Sequence, residues 1–441
     1  MRWIDLVEQT VRKYPDDLAV TCHGEALTYA QLWDKAGEEM QRMREAGTVG
    51  EGELYRLPCT QDADYVVRFV ALHRLGVRCD ILFTTGSTGK PKGVLMCDEG
   101  LIANGENLIL SQGFHHGLRF VICGPLDHFG SWSKMLPVLM TGGTLVVMEG
   151  MKQMEAVLDA LGEKAPSATF MVPSALKMLM MTSRERLAAL TDRIEFIEAG
   201  GAPLTTSDME TLRQLLPHTR LYNTYASTET GIVSTYAYHN FGEEGSQELV
   251  PGCVGRMMKH AEVTLTPEGR IVVSGPMVME SYLVTDEEGR LSLPLQDEMS
   301  LPVRDNALLV TSQAGRPMAS TQTFETSALG QIAPQGRLIL TGRVSDIINV
   351  GGLKLSPLEV EEAAQRHPDI ADCLCMPVAH RMMGQVPKLL VVLNPGATLD
   401  KKKLALYLKS QLDETWKVPM QYEAVDEIPK TANGKKRRTH L

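Results

Sequence analysis

The spacing of apolar positions changes along this chain. Residues 3–14 and 28–46 repeat apolar side chains at three- and four-residue intervals. That spacing predicts two amphipathic helices, the second opened by Leu27-Thr28-Tyr29. From 81 to 235, short apolar runs take turns with helical patterns. The predicted strands are Phe120–Cys123, Thr144–Met148, Thr169–Val172, Ile194–Glu198 and Leu221–Tyr225, with helices at 151–162, 174–181 and 206–215. Such alternation predicts a parallel sheet with helices packed on its faces. Ligands of these sheets bind beyond the carboxyl ends of strands. The polar exits after Glu198 and after Tyr225 are therefore candidate site positions.

The pattern turns to strands beyond about residue 250. Ala261–Thr266 and Arg270–Ser274 flank Pro267-Glu268-Gly269 as a hairpin, and Gln335–Leu340 is a further strand. These predict a β-rich subdomain over about 250–342. The short polar stretch 343–346 then separates a small α+β domain, 347–441, whose helix opens with Pro357 in its first turn. The expected fold class is α/β: a large N-terminal domain, 1–342, of parallel α/β sheets plus the β-rich subdomain, and a small mobile C-terminal domain.

Composition fits that picture. A length of 441 residues predicts two or three domains at about 150 residues each, and 44% apolar residues suffice for large cores. The net charge of −10 argues against a nucleic-acid partner. No run of 18 apolar residues occurs, so no membrane span is expected. Met1-Arg2-Trp3-Ile4-Asp5 reads as the start of a helix and not as a signal peptide. The eight cysteines form no C-x-x-C pair and no cluster with histidine, so free buried thiols in a reducing cytosol are expected. The 24 methionines read as pliable core filler.

The densest chemistry is Phe83-Thr84-Thr85-Gly86-Ser87-Thr88-Gly89-Lys90-Pro91-Lys92-Gly93, directly after the apolar Ile81-Leu82. Glycines let backbone N–H groups converge, hydroxyls add donors and lysines add charge, which is what wrapping a polyphosphate requires. It is not a Walker loop. That motif needs Ser or Thr after the lysine, and here Pro91 follows Lys90.

The loop resembles the signature of the adenylate-forming superfamily of acyl-CoA and aryl-CoA synthetases, luciferases and peptide-synthetase adenylation domains. Further segments match that family in order. By the resemblance, Thr84, Thr85, Gly86, Ser87, Thr88, Gly89, Lys90 and Lys92 hold the phosphates of ATP. Pro125-Leu126-Asp127-His128-Phe129-Gly130 places His128 on the acyl pocket, together with Ala199, Gly200 and Ala226. Gly200-Gly201-Ala202-Pro203-Leu204 resembles the loop that stacks on adenine, through Gly201, Ala202 and Pro203. In Tyr225-Ala226-Ser227-Thr228-Glu229 the resemblance puts Tyr225 on adenine, Ser227 on the nucleotide, Thr228 on the α-phosphate and Glu229 on Mg²⁺. Magnesium keeps few protein ligands, so one carboxylate suffices. Arg343 would contact ribose and Ser345 would be the hinge. Gly351, Gly352 and Lys354 would form the loop that meets the thiol acceptor. The frame Pro429-x-Thr431-x-x-Gly434-Lys435 makes Lys435 the catalytic lysine.

Two departures stand out. Ala328, in Phe324-Glu325-Thr326-Ser327-Ala328-Leu329-Gly330, occupies the place of the family aspartate that holds both ribose hydroxyls; Ser327 and Glu325 are the candidates to replace it. The phosphate loop also comes early, soon after Arg74-Leu75-Gly76-Val77, so a piece of the usual N-terminal region is expected to be missing. The resemblance implies a cytoplasmic ligase. It would use ATP and Mg²⁺ to activate a small organic carboxylic acid, non-amino and possibly aryl or short acyl, and pass it to CoA. Loading of a carrier protein or another acceptor is the alternative, and a non-catalytic nucleotide-binding protein is the rival from another class.

Overall fold

The computed structural model describes residues 1–47, 54–85, 91–150, 153–240, 248–285, 291–292, 307–311, 322–430 and 436–438. The predicted alternation is present. Six parallel strands lie in the order Arg220–Ser227, Ile194–Gly200, Ser167–Met171, Arg119–Ile122, Thr144–Val147 and Leu18–Cys22. Residues along them face two different cores in turn. Phe120, Leu145 and Phe196 join one buried cluster, while Val121, Val146 and Ile197 join the other. Period-two alternation of this kind seats helices on both faces of the sheet.

The predicted helices follow local signals. In Tyr29–Glu45, Thr28 Oγ1 accepts from Gln31 N–H at 3.2 Å and Gln31 Oε1 accepts from Thr28 N–H at 2.9 Å, a reciprocal cap. Helix Phe129–Thr141 is capped by the ring of His128, whose Nδ1 accepts from Gly130 N–H at 3.3 Å.

The strands beyond 250 do not form a layer of their own. Cys253–Met257, Arg337–Arg343, Gln322–Ile332, Arg270–Gly275 and Glu262–Leu265 continue the main sheet, antiparallel, beyond Gly231–His239. Local pattern reveals strands but not which edge they join.

The phosphate-loop segment also lies elsewhere than in the parallel sheet. Cys79–Thr85 and Pro91–Cys97 are an antiparallel hairpin in a second sheet, with Ser281–Tyr282 on one flank and Ala307–Thr311 then Leu54–Pro58 on the other. Thr85 faces Pro91 across the hairpin, and the register carries down to Cys79 opposite Cys97. Those two cysteines are joined in a disulfide. This corrects the expectation of free thiols. Eighteen residues of separation say nothing in the sequence, and the hairpin register brings the pair together. Cys22, Cys59, Cys123, Cys373 and Cys375 keep their thiols.

The small domain has its own sheet, Leu353–Leu355, Ile348–Val350, Gly384–Leu393 and Ile370–His380, with Gln421–Ala424 parallel to Gly384–Leu393. Helices Pro357–Gln365 and Lys401–Gln411 close its core. Among the described residues no helix is long and apolar enough to cross a membrane.

Candidate functional site

The two polar strand exits singled out in the sequence are neighbours. Arg220–Ser227 runs parallel to Ile194–Gly200, with Thr224 beside Gly200. Gly201 follows in the left-handed region, φ 81°, and a Cβ there would meet nothing closer than Val172 at 3.8 Å. That leaves a flat, open backbone edge next to the half-buried ring of Tyr225. Ala202 is half-buried and Pro203 exposed on the same turn.

After Tyr225 the chain turns sharply through 228–230. Ser227 N–H donates to Thr230 Oγ1 at 3.2 Å, and Thr230 N–H donates to Ser227 Oγ at 3.1 Å. Gly231 closes the turn at φ 66°, and a Cβ there would fall 2.6 Å from Met277 O and from Asn104 Oδ1. Only glycine fits that floor. Buried Asn104 in turn accepts from Ile232 N–H at 2.8 Å. The turn is thus held from beneath, and Thr228 and Glu229 are left half-buried at its tip.

Tyr282 reaches Glu229 from the hairpin sheet. Its O–H donates to Glu229 Oε1 at 3.0 Å. Burial, with the charge of Glu229 behind it, pushes the phenol well above the ordinary tyrosine range, so it remains a donor. Lys92 Nζ lies 5.1 Å from the centroid of the Tyr282 ring. Lys92 itself sits opposite Thr84 on the hairpin. The hairpin that leads into the phosphate loop and the Glu229 turn are therefore in contact through one tyrosine. Gly86, Ser87, Thr88, Gly89, Lys90 and Lys435 fall outside the described residues, as does the side chain of Thr85.

On the other side of Tyr225 stands Thr326. The Tyr225 hydroxyl is 3.5 Å from Thr326 Oγ1, which also accepts from Ala328 N–H at 3.1 Å. Burial raises the Tyr225 phenol, while Thr326 and the positive charge of Arg343 pull the other way, so Arg343 is within electrostatic reach. Arg343 pairs with Ala328 across adjacent strands. Of the two candidates to replace the missing aspartate, Glu325 is engaged with Arg270 at 2.8 Å on the exposed face, and Ser327 is exposed. Thr326 is the side chain turned toward Tyr225.

His128 shares its surroundings with Gly130, which in turn adjoins Phe170. A Cβ on Gly130 would meet the Phe170 ring at 2.6 Å and His128 Nδ1 at 3.4 Å, and a Cβ on Gly200 would meet the same ring at 3.1 Å. Phe170 thus fills the space between two glycines, and Ala226 packs against the same cluster. Ala199 does not face it. Its side chain is buried in the opposite core, with Ile197 and Met171. Strand periodicity decides this, because neighbours alternate faces. Asp127 is half-buried beside Cys59, and burial raises its carboxyl.

In the small domain, Ser345 is exposed in the short helical turn Val344–Asp346, and its Oγ donates to Asp346 Oδ1 at 2.8 Å. Gly351 and Gly352 form a left-handed hairpin turn, at φ 60° and 95°, ahead of exposed Lys354. The chain next to Lys435 is anchored. Lys436 Nζ donates to Asp372 Oδ1 at 2.8 Å, and Arg438 pairs with Glu361 at 2.9 Å and with Asp346 at 3.3 Å. Lys177, from the large domain, meets the same Asp372 oxygen at 3.2 Å and Gln365 at 3.1 Å.

Tyr282, Thr326 and Phe170 escaped the sequence reading. Tyr282 belongs to a two-residue strand outside any motif, and Thr326 lies in the 324–330 segment beside the two residues singled out there. A signal was available for Glu198 and Lys134, charged residues inside apolar runs, which form a buried pair. Two surface clefts share no residue with the site: about 250 Å³ around Pro166 and His218, and about 520 Å³ around Lys388 and Tyr422.

The donor set suits a hard cation and a nucleotide. A carboxylate and a hydroxyl at one turn match magnesium's preference for oxygen, and an open glycine edge beside an aromatic ring suits a flat base. The AMP-binding enzyme family matches residues 78–283, and the AMP-binding enzyme C-terminal domain matches 359–435. An indoleacetate–CoA ligase of Aromatoleum aromaticum is 26% identical, with 81% of this chain and 65% of that protein aligned. A feruloyl-CoA synthase of an Amycolatopsis species is also 26% identical, over 81% of this chain and 68% of that protein. This chain thus spans about two thirds of the length of these relatives. ATP-bound MatB of Rhodopseudomonas palustris superposes with a TM-score of 0.75 at 20% identity, covering 99% of this chain and 97% of that one. The amide bond synthetase McbA of Marinactinospora thermotolerans gives 0.75 at 20% identity, covering 98% of both.

Proposed function

This chain belongs to the AMP-binding enzyme family, and we propose that it is an acid–thiol ligase working through an acyl adenylate. The observation that carries the reading is the convergence of Tyr225, Thr326, Arg343, Glu229 and Tyr282 on one turn beyond the strand ends. The acid carboxylate attacks the α-phosphorus of ATP. A new P–O bond forms, the α–β bridge breaks and pyrophosphate leaves with the electron pair. The thiol of CoA then attacks the acyl carbon and AMP departs.

The first step brings an anion to an anion, so positioning and charge neutralisation must lower its barrier. Tyr225 and the Gly201 edge hold the base, and Thr228 binds the α-phosphate. Arg343 reaches the ribose, with Thr326 beside it where the family aspartate is absent. Lys92 adds positive charge beside the hairpin that ends in the phosphate loop. Glu229, oriented by Tyr282, would hold Mg²⁺, which supplies charge neutralisation at the phosphates. Lys435 is assigned to the transition state of this step.

The small domain then presents a different face. The Gly351–Gly352 turn then takes the place of Lys435 at the acid for the thiol step, and a pivot at Ser345 makes the exchange. The acid is a non-amino organic acid, aryl or short acyl. His128 is a poor partner for an ammonium, and burial beside Cys59 raises the Asp127 carboxyl, which makes it a weaker one.

Pyrophosphate release over an acid panel, with and without CoA, tests the reading. Lys435→Ala should lower the rate by two to three orders of magnitude, about 3–4 kcal/mol, with folding intact. Activity without CoA dependence would point to a carrier protein or another acceptor. ATP binding without pyrophosphate release from any acid would leave the non-catalytic reading.

A further inference from the structure

The small domain meets the large one along a polar seam beside the turn that follows Gly201. Lys177 Nζ, from helix Pro173–Thr182, reaches Asp372 Oδ1 at 3.2 Å and Gln365 Oε1 at 3.1 Å in the small domain, and Asp208 Oδ2 at 3.5 Å in its own. Thr205 Oγ1 donates to the same Asp208 oxygen at 2.8 Å. Thr206 opens helix Thr206–Leu215. Its N–H donates to Glu362 Oε1 at 3.1 Å, and its hydroxyl donates to the same oxygen. Glu362 belongs to the small-domain helix Pro357–Gln365. The side chains of Lys177, Asp208, Asp372 and Glu362 are 12–14% exposed, so the seam is largely closed to water.

The seam is made to part. Among the described residues each buried apolar cluster lies wholly within one domain, so separation exposes no shared core. Each charge also keeps a counter-ion on its own side: Lys177 keeps Asp208, Asp372 keeps Lys436 at 2.8 Å, and Glu362 keeps Arg366 at 3.5 Å. The cost of opening is therefore small, because no buried charge is left bare. The seam has a direction as well. Lys436, on the Asp372 oxygen that Lys177 shares, follows Lys435 in the chain, and Thr205 follows the turn assigned to the base. The thiol-acceptor turn lies apart from it. Lys354, two residues beyond Gly352, is within electrostatic reach of Glu268, between the edge strands Glu262–Leu265 and Arg270–Gly275 of the main sheet.

Building on the acid activation proposed above, we propose that this seam is a latch, and that Lys177 and Glu362 are positioning residues for the adenylate-forming step. They hold the small domain, and with it the chain beside Lys435, against the turn that carries the base. The latch opens before the thiol step. Lys177 then lets go of Asp372, and Glu362 leaves the first turn of helix Thr206–Leu215.

The test measures the two half-reactions apart, with the best acid of the panel above. Pyrophosphate release reports the first, and thioester formation from the preformed acyl adenylate and CoA reports the second. In Lys177→Met the first should fall roughly tenfold, in kcat and not in the ATP KM, while the second stays within about twofold of wild type or rises. Glu362→Gln keeps the shape and should show the same split severalfold, and it carries the test if Lys177→Met does not fold. Tryptic cleavage after exposed Arg343, which releases the fragment from Val344 onward, should run several times faster in either variant. Equal loss of both half-reactions, a greater loss of the second, a raised ATP KM at unchanged kcat, or an unchanged cleavage rate each overturns the latch while the ligase reading stands. A wild-type protein that activates no acid overturns both.

Discussion

The hydroxyl of Tyr282 donates to Glu229 Oε1 at 3.0 Å, tying the sheet that carries the phosphate-loop hairpin to the turn beyond the main sheet. Tyr282→Phe removes only that donor. A hydrogen bond to a half-exposed carboxylate should contribute about 1 kcal/mol, so the Mg²⁺ dependence of pyrophosphate release should shift upward about fivefold. Glu229→Gln should shift it further, and the double variant should be no worse than Glu229→Gln alone. Additive effects would mean that Tyr282 does not act through Glu229.

Thr326 faces Tyr225 beside Ala328, the position that the family resemblance assigns to a ribose-binding aspartate. Thr326→Val keeps the shape and removes the hydroxyl. The ATP KM should rise by about five- to tenfold with kcat little changed, as befits a lost ground-state hydrogen bond. Ala328→Asp should lower the ATP KM, since Glu325 is already committed to Arg270. A KM that rises would mean that Thr326 fully replaces the carboxylate.

Asp372, in the small domain, is held by Lys436 of the same domain and by Lys177 of the large one. Burial raises its carboxyl, but the ammonium groups of Lys436 and Lys177 outweigh that and hold it below the usual carboxylate range. A depressed folded pKa contributes stability above the unfolded pKa of about 3.9 and loses it as pH falls through the folded value. Asp372→Asn should therefore lower the melting temperature near neutrality. The gap to wild type should close as the pH drops below about 4. A gap of constant size would show that the charge is not what matters.

The Cys79–Cys97 bridge closes the base of the phosphate-loop hairpin across 18 residues of chain. In the chain-entropy account a loop of that size contributes about 3 kcal/mol. Reduction should lower the melting temperature and raise the ATP KM, because the hairpin loses the tie opposite its tip. Alkylation of the unreduced, denatured protein should leave two cysteines unlabelled. Labelling of all eight would refute the bridge.

Gly231→Ala tests the floor of the Glu229 turn. A methyl group would fall 2.6 Å from a backbone oxygen, at a positive φ. A loss of about 2–4 kcal/mol in stability is expected, with a weakened Mg²⁺ response. A variant that melts like wild type would show that the turn can shift.

Much of what depends on near neighbours was legible in the sequence alone. The parallel strands fall where apolar runs alternate with helical spacing, and Thr28 caps its helix with Gln31 three residues on. Tyr225–Glu229 and Gly200–Leu204 stand out as polar exits of apolar runs and by their resemblance to family motifs. Tertiary structure decided what depends on register and face. Cys79 meets Cys97 only because Thr85 faces Pro91. Ala199 turns away from Phe170, which Gly200 borders, because neighbours on a strand point to opposite sides. The strands Cys253–Met257, Glu262–Leu265, Arg270–Gly275, Gln322–Ile332 and Arg337–Arg343 join the main sheet because hydrogen-bonding edges are matched in space and leave no mark in the local pattern. Tyr282 and Thr326 reach Glu229 and Tyr225 from strands far away in the chain. Their side chains carry no signal of that until the sheets bring them together.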